Sequence, residues 1–261
     1  MVSCHKETSN EKLNISNFNY LGMLHNRYLE NVENNFSPDY SITNVDRKID
    51  QITNFHINYT ATLQISNDKK QILNESLNKS NNFVIQHNIA SYFTGSYTRS
   101  EQIEENHNIF HLQQLYQSGK ISNTTYQILL TLSTNLKDNL EGRLSDNDFK
   151  NSIGIPINQY NSLGYETNTE GEMIGAILSI AEHSIEYWEE NDTGYTSGRT
   201  FAIPVWAAAD IAGAVVSGVI SASGQAAING EINGNVVAWS AVGGAITSST
   251  GLVGKIVRWL T

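Results

Sequence analysis

The sequence predicts a mainly α protein, a helical-bundle body that carries a C-terminal hairpin of two small-residue helices. Three observations point there. Apolar residues recur at three-to-four spacing through most of the chain, strand-like alternation is scarce, and residues 204–259 are almost free of charge. The expected organisation is a polar tether over 1–17, an α-helical body over 18–198 and a Gly/Ala-rich helical hairpin over 199–261.

In chain order, residues 1–17 are polar, as a poorly ordered tether would be. Leu21, Leu24, Tyr28 and Val32 then follow helical spacing, and Pro38 stops that run. Ile42, Val45, Ile49, Ile52 and Phe55 predict a second helix over 42–66. Ile72, Leu73, Leu77, Phe83 and Val84 predict a third over 67–90, weakened at its centre by Asn and Ser. Residues 92–97 read as a break. Ser100 caps the next helix, and Gly119 ends it. Ile128, Leu129, Leu132 and Leu136 form the stripe of the following helix, so 100–140 predicts an antiparallel helical hairpin.

Ser145 and Asp148 make a capping-box-like start to a short helix expected to end before Gly154 and Pro156. Thr169 and Glu172 make another capping box. The helix it opens places Met173, Ile177, Ile180, Ser184 and Trp188 on one side, and Glu182, Glu186 and Glu189 on another. Residues 191–198 form a loop that separates body from tail.

In the tail, small residues recur four apart: Ala209, Gly213 and Ser217; Gly218 between Ala214 and Ala222; Ser240, Gly244 and Ser248. On a helix that spacing lines one face with small groups and lets a second helix approach closely. Uncharged runs extend from Ile211 to Gly230 and from Ile232 to Gly254. Each is about 20 residues, near the length that crosses a bilayer. Asn229-Gly230 and Asn233-Gly234 mark the turn between them. Three arrangements fit: a hairpin buried against the body, a hairpin that enters a membrane, or Gly-rich strands or a loop-rich collar. Trp206 and Trp259 with Lys255 and Arg258 suit interfacial anchors. The two cations equally suit a helix C-terminus.

The net charge of -10 lies in the body. With no Lys/Arg run, it argues against a nucleic-acid partner. Abundant Asn with only three prolines suits a low-GC bacterial genome. The single cysteine, Cys4, excludes an internal disulfide framework. Cys4 followed by a polar stretch resembles the processed end of a bacterial lipoprotein, in which the cysteine carries the lipid. No apolar segment precedes it here, so an incidental cysteine is the alternative.

Glu104, His107 and His111 fall along one helix face, a geometry that suits a single-helix metal site or a solvated polar face. His25-Asn26 lies inside an apolar helix, where the imidazole is either satisfied by a neighbouring amide or backbone group, or functional. No Gly-x-Ser-x-Gly elbow and no P-loop occurs, so no catalytic residue and no cofactor is expected.

Leu21-Gly22, His25-Asn26 and Leu29-Glu30, following a Cys-led polar stretch, resemble uncharacterised lipoprotein-like proteins of Bacteroidota with an LGxxHNxxLD-type helix. Some of those carry an Ala/Gly-rich end similar to Ala209-Asp210-Ile211-Ala212-Gly213-Ala214. The tail is also similar in texture to glycine-zipper segments and small Gly-rich bacteriocins. The first resemblance implies an envelope or exported location and no defined activity. The resulting expectation is a non-enzymatic bacterial protein whose hairpin mediates packing or self-association, with the membrane, through Cys4 or the hairpin, as its partner. A membrane-active toxin and a metal-dependent helical enzyme are the alternatives.

Overall fold

The computed structural model describes residues 12–86, 110–140, 142–166, 170–190 and 205–250. Among the described residues every regular element is a helix, so the protein is mainly α. A single 3-10 turn, Ile15–Phe18, leads into α1, Asn19–Asn35. There follow α2, Val45–Thr62; α3, Asn67–Gln86; a helical segment over 110–117; and α4, Asn123–Leu140. The chain continues through α5, Asp146–Leu163; α6, Glu170–Glu190; α7, Val205–Asn229; and α8, Gly234–Thr250.

Local chemistry sets most boundaries. The Asn14 side chain accepts the Ser16 N–H and the Asn17 side chain accepts the Asn14 N–H, which closes a capping box on the first turn. Asn44 caps α2 by accepting from Arg47 N at 3.0 Å. Ser122 caps α4, accepting from Thr125 N, after a turn at Gly119 with φ +68. Ser145 caps α5 by accepting from Asp148 N at 3.2 Å. The break at 92–97, the cap at Ser100 and the capping residue Thr169 lie outside the described residues.

Two stretches differ from expectation. The helix opened by Ser145 does not end before Gly154. It runs through Pro156 to Gly164, which takes the left-handed conformation. An interior proline costs about 3 kcal/mol, and here Phe149, Ile153 and Tyr160 bury a stripe on both sides of it. The polar stretch before residue 18 is held at its end: Leu13 is buried and its N–H donates to Tyr165 O at 2.7 Å, while the Ile15 N–H donates to Asn161 Oδ1.

Two helices form the centre. On α6 every residue from Met173 to Ala181 is buried. On α8 the unbroken run Ala241–Thr247 is buried. A helix without a polar face belongs inside a core. Accordingly α8 packs on α7, α3, α6 and α1, and α1 lies along α6. The hairpin residues therefore share one core with the body, with Ile177, Val219, Val242 and Ile246 in the same cluster as Leu21, Leu73 and Leu132. A smaller cluster of Val32, Phe36 and Ile52 closes the far end of α1 against α2.

Candidate functional site

The small residues of the tail act at two levels. Between α7 and α8, a Cβ on Gly213 would stand 2.5 Å from Gly244 O, and a Cβ on Gly244 would strike the Ser217 side chain and Gly213 O. Ser240 Oγ donates to Ser221 Oγ at 3.1 Å. Between the hairpin and the body, Gly218 receives Ile177 Cδ1, which a Cβ there would meet at 3.2 Å. The Ser240 carbonyl accepts from Ser76 Oγ of α3 at 2.8 Å, beside Gly243, where a Cβ would overlap Ser76. Ser217 Oγ lies 3.3 Å from Ser80 Oγ of α3. Ala209 is half-buried at the start of α7. Both arms are helices, so the arrangement as Gly-rich strands is not the one adopted.

The chemistry-bearing cluster lies where α1, α6 and α7 meet. Small groups permit the approach: Gly22 of α1 sits against Ser179 O and the His183 ring of α6, and Ser179 Oγ donates to Phe18 O. That contact turns His25 inward, and its side chain is wholly buried. His25 Nε2 lies 3.5 Å from Asp210 Oδ2, and Asp210 is wholly buried too. The same oxygen accepts Ser184 Oγ at 2.5 Å and Trp188 Nε1 at 2.8 Å. Asp210 Oδ1 accepts no hydrogen bond.

On the other side of the ring, His25 Nδ1 lies 2.9 Å from Asn26 Oδ1. Asn26 Nδ2 donates to His183 O at 3.0 Å. Because the amide nitrogen is committed to that carbonyl, the oxygen faces the ring, so Nδ1 is the donor. An acceptor then faces each ring nitrogen. The buried Asp210 carboxylate thus has two hydrogen-bond donors and an imidazole edge around Oδ2, the kind of company a buried polar group requires. The expectation of a buried imidazole held by an amide thus describes one side of His25. The other side is a carboxylate from the tail, which the spacing of residues 19–35 gave no sign of.

Two groups near the cluster are shifted, and only Tyr187 feels Asp210, behind larger causes. Burial pushes the Tyr187 hydroxyl well above its ordinary range, helped by Glu33, Glu30 and Asp210. Burial and then Glu186 raise the Glu182 carboxyl, which His183 partly offsets. Ser184 donates to the carboxylate rather than to the imidazole, and His25, Ser184 and Asp210 are themselves closed to solvent, so those three have no reach to an outside substrate.

Elsewhere, an open cleft of about 590 Å³ lies between the 119–122 turn and the α7–α8 turn. Two of its charges are used locally: Lys120 Nζ donates to Gly230 O, and Glu170 Oε2 accepts the Ser122 N–H. Of the expected metal set, Glu104 and His107 lie outside the described residues and His111 sits on the 110–117 segment. Among the described residues no three His, Cys, Asp or Glu side chains gather to hold a metal. Cys4, Lys255, Arg258 and Trp259 lie outside the described residues, as does the Trp206 side chain. No family model, no curated protein and no solved structure matches the chain.

Proposed function

We propose that the chain is a non-enzymatic bacterial protein, envelope-associated or exported, whose small-residue hairpin serves packing within the chain. The burial of α8 on all sides, by α7, α3, α6 and α1, is the observation that supports it. Close Gly–Gly and Gly–Ser contacts meet the steric demands of the hairpin, and Ser184, Trp188 and His25 meet its one buried charge. The envelope location rests on the resemblance at Leu21–Glu30 and on Cys4 as a lipid-attachment residue. Vesicle flotation and dye release with the full chain, and with a chain lacking residues 201–261, test the packing role. The expected result is that the full chain leaves vesicles intact and the shortened chain loses its cooperative unfolding transition. Incorporation of labelled palmitate at Cys4 in bacterial cells, lost in Cys4→Ser, tests the anchor.

A second reading, a membrane-active protein, has one observation in its favour. Within Ala209–Asn229, the most apolar 18-residue stretch of α7 has a mean hydropathy of 1.6, and only 39% of that stretch is buried. Ala212, Val216, Ile220 and Ile228 form an apolar outer stripe, with Ile228 83% exposed. Flotation of the full chain with vesicles supports this reading over the first.

A further inference from the structure

We propose that the buried cluster of His25, Ser184, Trp188 and Asp210 is a latch that keeps the apolar hairpin in the body and out of a lipid bilayer. The proposal rests on the second reading above, in which the hairpin can enter lipid.

Asp210 is the sole charged residue within α7 and α8. Its partners all come from the body: Ser184 and Trp188 from α6, His25 from α1. The remaining contacts of the hairpin with the body are mainly apolar, joined by three uncharged acceptors or hydroxyls that meet Ser76, Ser80 and Lys120 and by Lys69 over the Trp239 ring. Asp210 is therefore where the hairpin's own charge is met. Lipid tails satisfy apolar side chains as well as a protein core does. The contacts between Gly213, Ser217 and Gly244 lie inside the hairpin and travel with it. Apolar packing therefore discriminates weakly between a hairpin in the body and a hairpin in lipid. A preference between two states comes only from interactions that differ between them. The hydrogen bonds and charge contact on Asp210 exist in one state and not in the other.

The rest of α7 has the dimensions for the alternative state. Ala209–Asn229 is 21 residues, about 31 Å as a helix, close to the hydrocarbon thickness of a bilayer. Asp210 stands at the start of that stretch, where a carboxylate would meet headgroups rather than the bilayer centre.

The test uses the full chain and dye-loaded phosphatidylethanolamine–phosphatidylglycerol vesicles. S184A/W188F removes two donors from the body side and leaves the hairpin sequence, hence its own lipid affinity, unaltered. The expected result is retained helix content, a retained cooperative transition and dye release at least ten-fold above the parent chain. Adding C4S, S80C and S217C allows a cross-link from α3 to α7, since the two serine oxygens lie 3.3 Å apart. Oxidation of that variant should abolish release and reduction should restore it.

T60V is the control, because it removes the Tyr28–Thr60 hydrogen bond on the α1–α2 side, away from the hairpin. Equal release from T60V at a matched loss of thermal midpoint would show general loosening and overturn the latch. Release from the parent chain opened by mild urea, with none from folded S184A/W188F, would also overturn the latch while leaving the membrane reading standing. No release and no flotation from any of these would remove the membrane reading and the latch together. If S184A/W188F loses its cooperative transition, S184A alone carries the same comparison.

Discussion

Gly213 and Gly244 face each other across α7 and α8 so closely that a methyl group on the first would stand 2.5 Å from the carbonyl oxygen of the second. Backbone cannot yield as a flexible side chain can. Gly213→Ala or Gly244→Ala should therefore destabilise the fold by about 1–3 kcal/mol, the usual cost of overpacking. Gly224 lies on the same helix with open space around it, and there Ala should stabilise by up to about 1 kcal/mol. Urea unfolding of the three variants should give opposite signs at Gly213 and Gly224. A loss at Gly224 as large as at Gly213 would contradict the packing described for α7.

Removal of the Asp210 carboxylate should be costlier than its replacement by an amide. Asp210→Ala strands the donors of Ser184 and Trp188 and removes the carboxylate beside His25. Breaking a buried pair from one side costs about 3–5 kcal/mol. Asp210→Asn keeps an oxygen for both donors and should lose less. In a double-mutant cycle with His25→Gln, the coupling should exceed about 0.5 kcal/mol. A coupling near zero would mean that the 3.5 Å contact contributes no net energy.

His56 is completely buried, and that burial lowers its pKa to about 3 from the ordinary 6.5. The unfolded chain then binds a proton between those values that the folded chain refuses. The contribution is fully present above pH 6.5 and is lost as pH falls toward 3. The loss amounts to up to about 1.4 kcal/mol per pH unit from this one group. His56→Phe should flatten the slope of stability against pH in that window, as read from urea midpoints at pH 4, 5 and 6.5. An unchanged slope would exclude His56 as its source.

The elements with a one-sided stripe were legible from the sequence. Leu21, Leu24, Tyr28 and Val32 mark α1, and all four are buried. Ile128, Leu129, Leu132 and Leu136 mark α4 in the same way. Gly119 and Gly230 marked their turns, with φ +68 and +74. The centrality of α8 was not legible, because a helix apolar on every side carries no period to say what it faces. Pro156 misled in the other direction. Its local penalty suggests an end, whereas burial of Ile153 and Tyr160 on either side carries the helix through. For the polar cluster, His25 stood out as a polar residue in an apolar helix, and Asp210 did not. Nothing local ties one to the other, since their meeting depends on Gly22, Ser179 and the whole α1–α6 packing.

The fastening of Leu13 to Tyr165 has a geometric consequence. Tyr165 also lies 3.0 Å from Thr125 Oγ1, beside Ser122 and Glu170, and those two border the same cleft as Gly230 and Ile232. Lys12, against Gly164, is thus at the pole of the molecule that carries the tip of the hairpin. Eight residues from Cys4 to Lys12 reach at most about 29 Å. Were Cys4 fixed in a leaflet, Lys12 would stay within about 29 Å of it, on the side of the molecule that carries the Gly230–Ile232 tip.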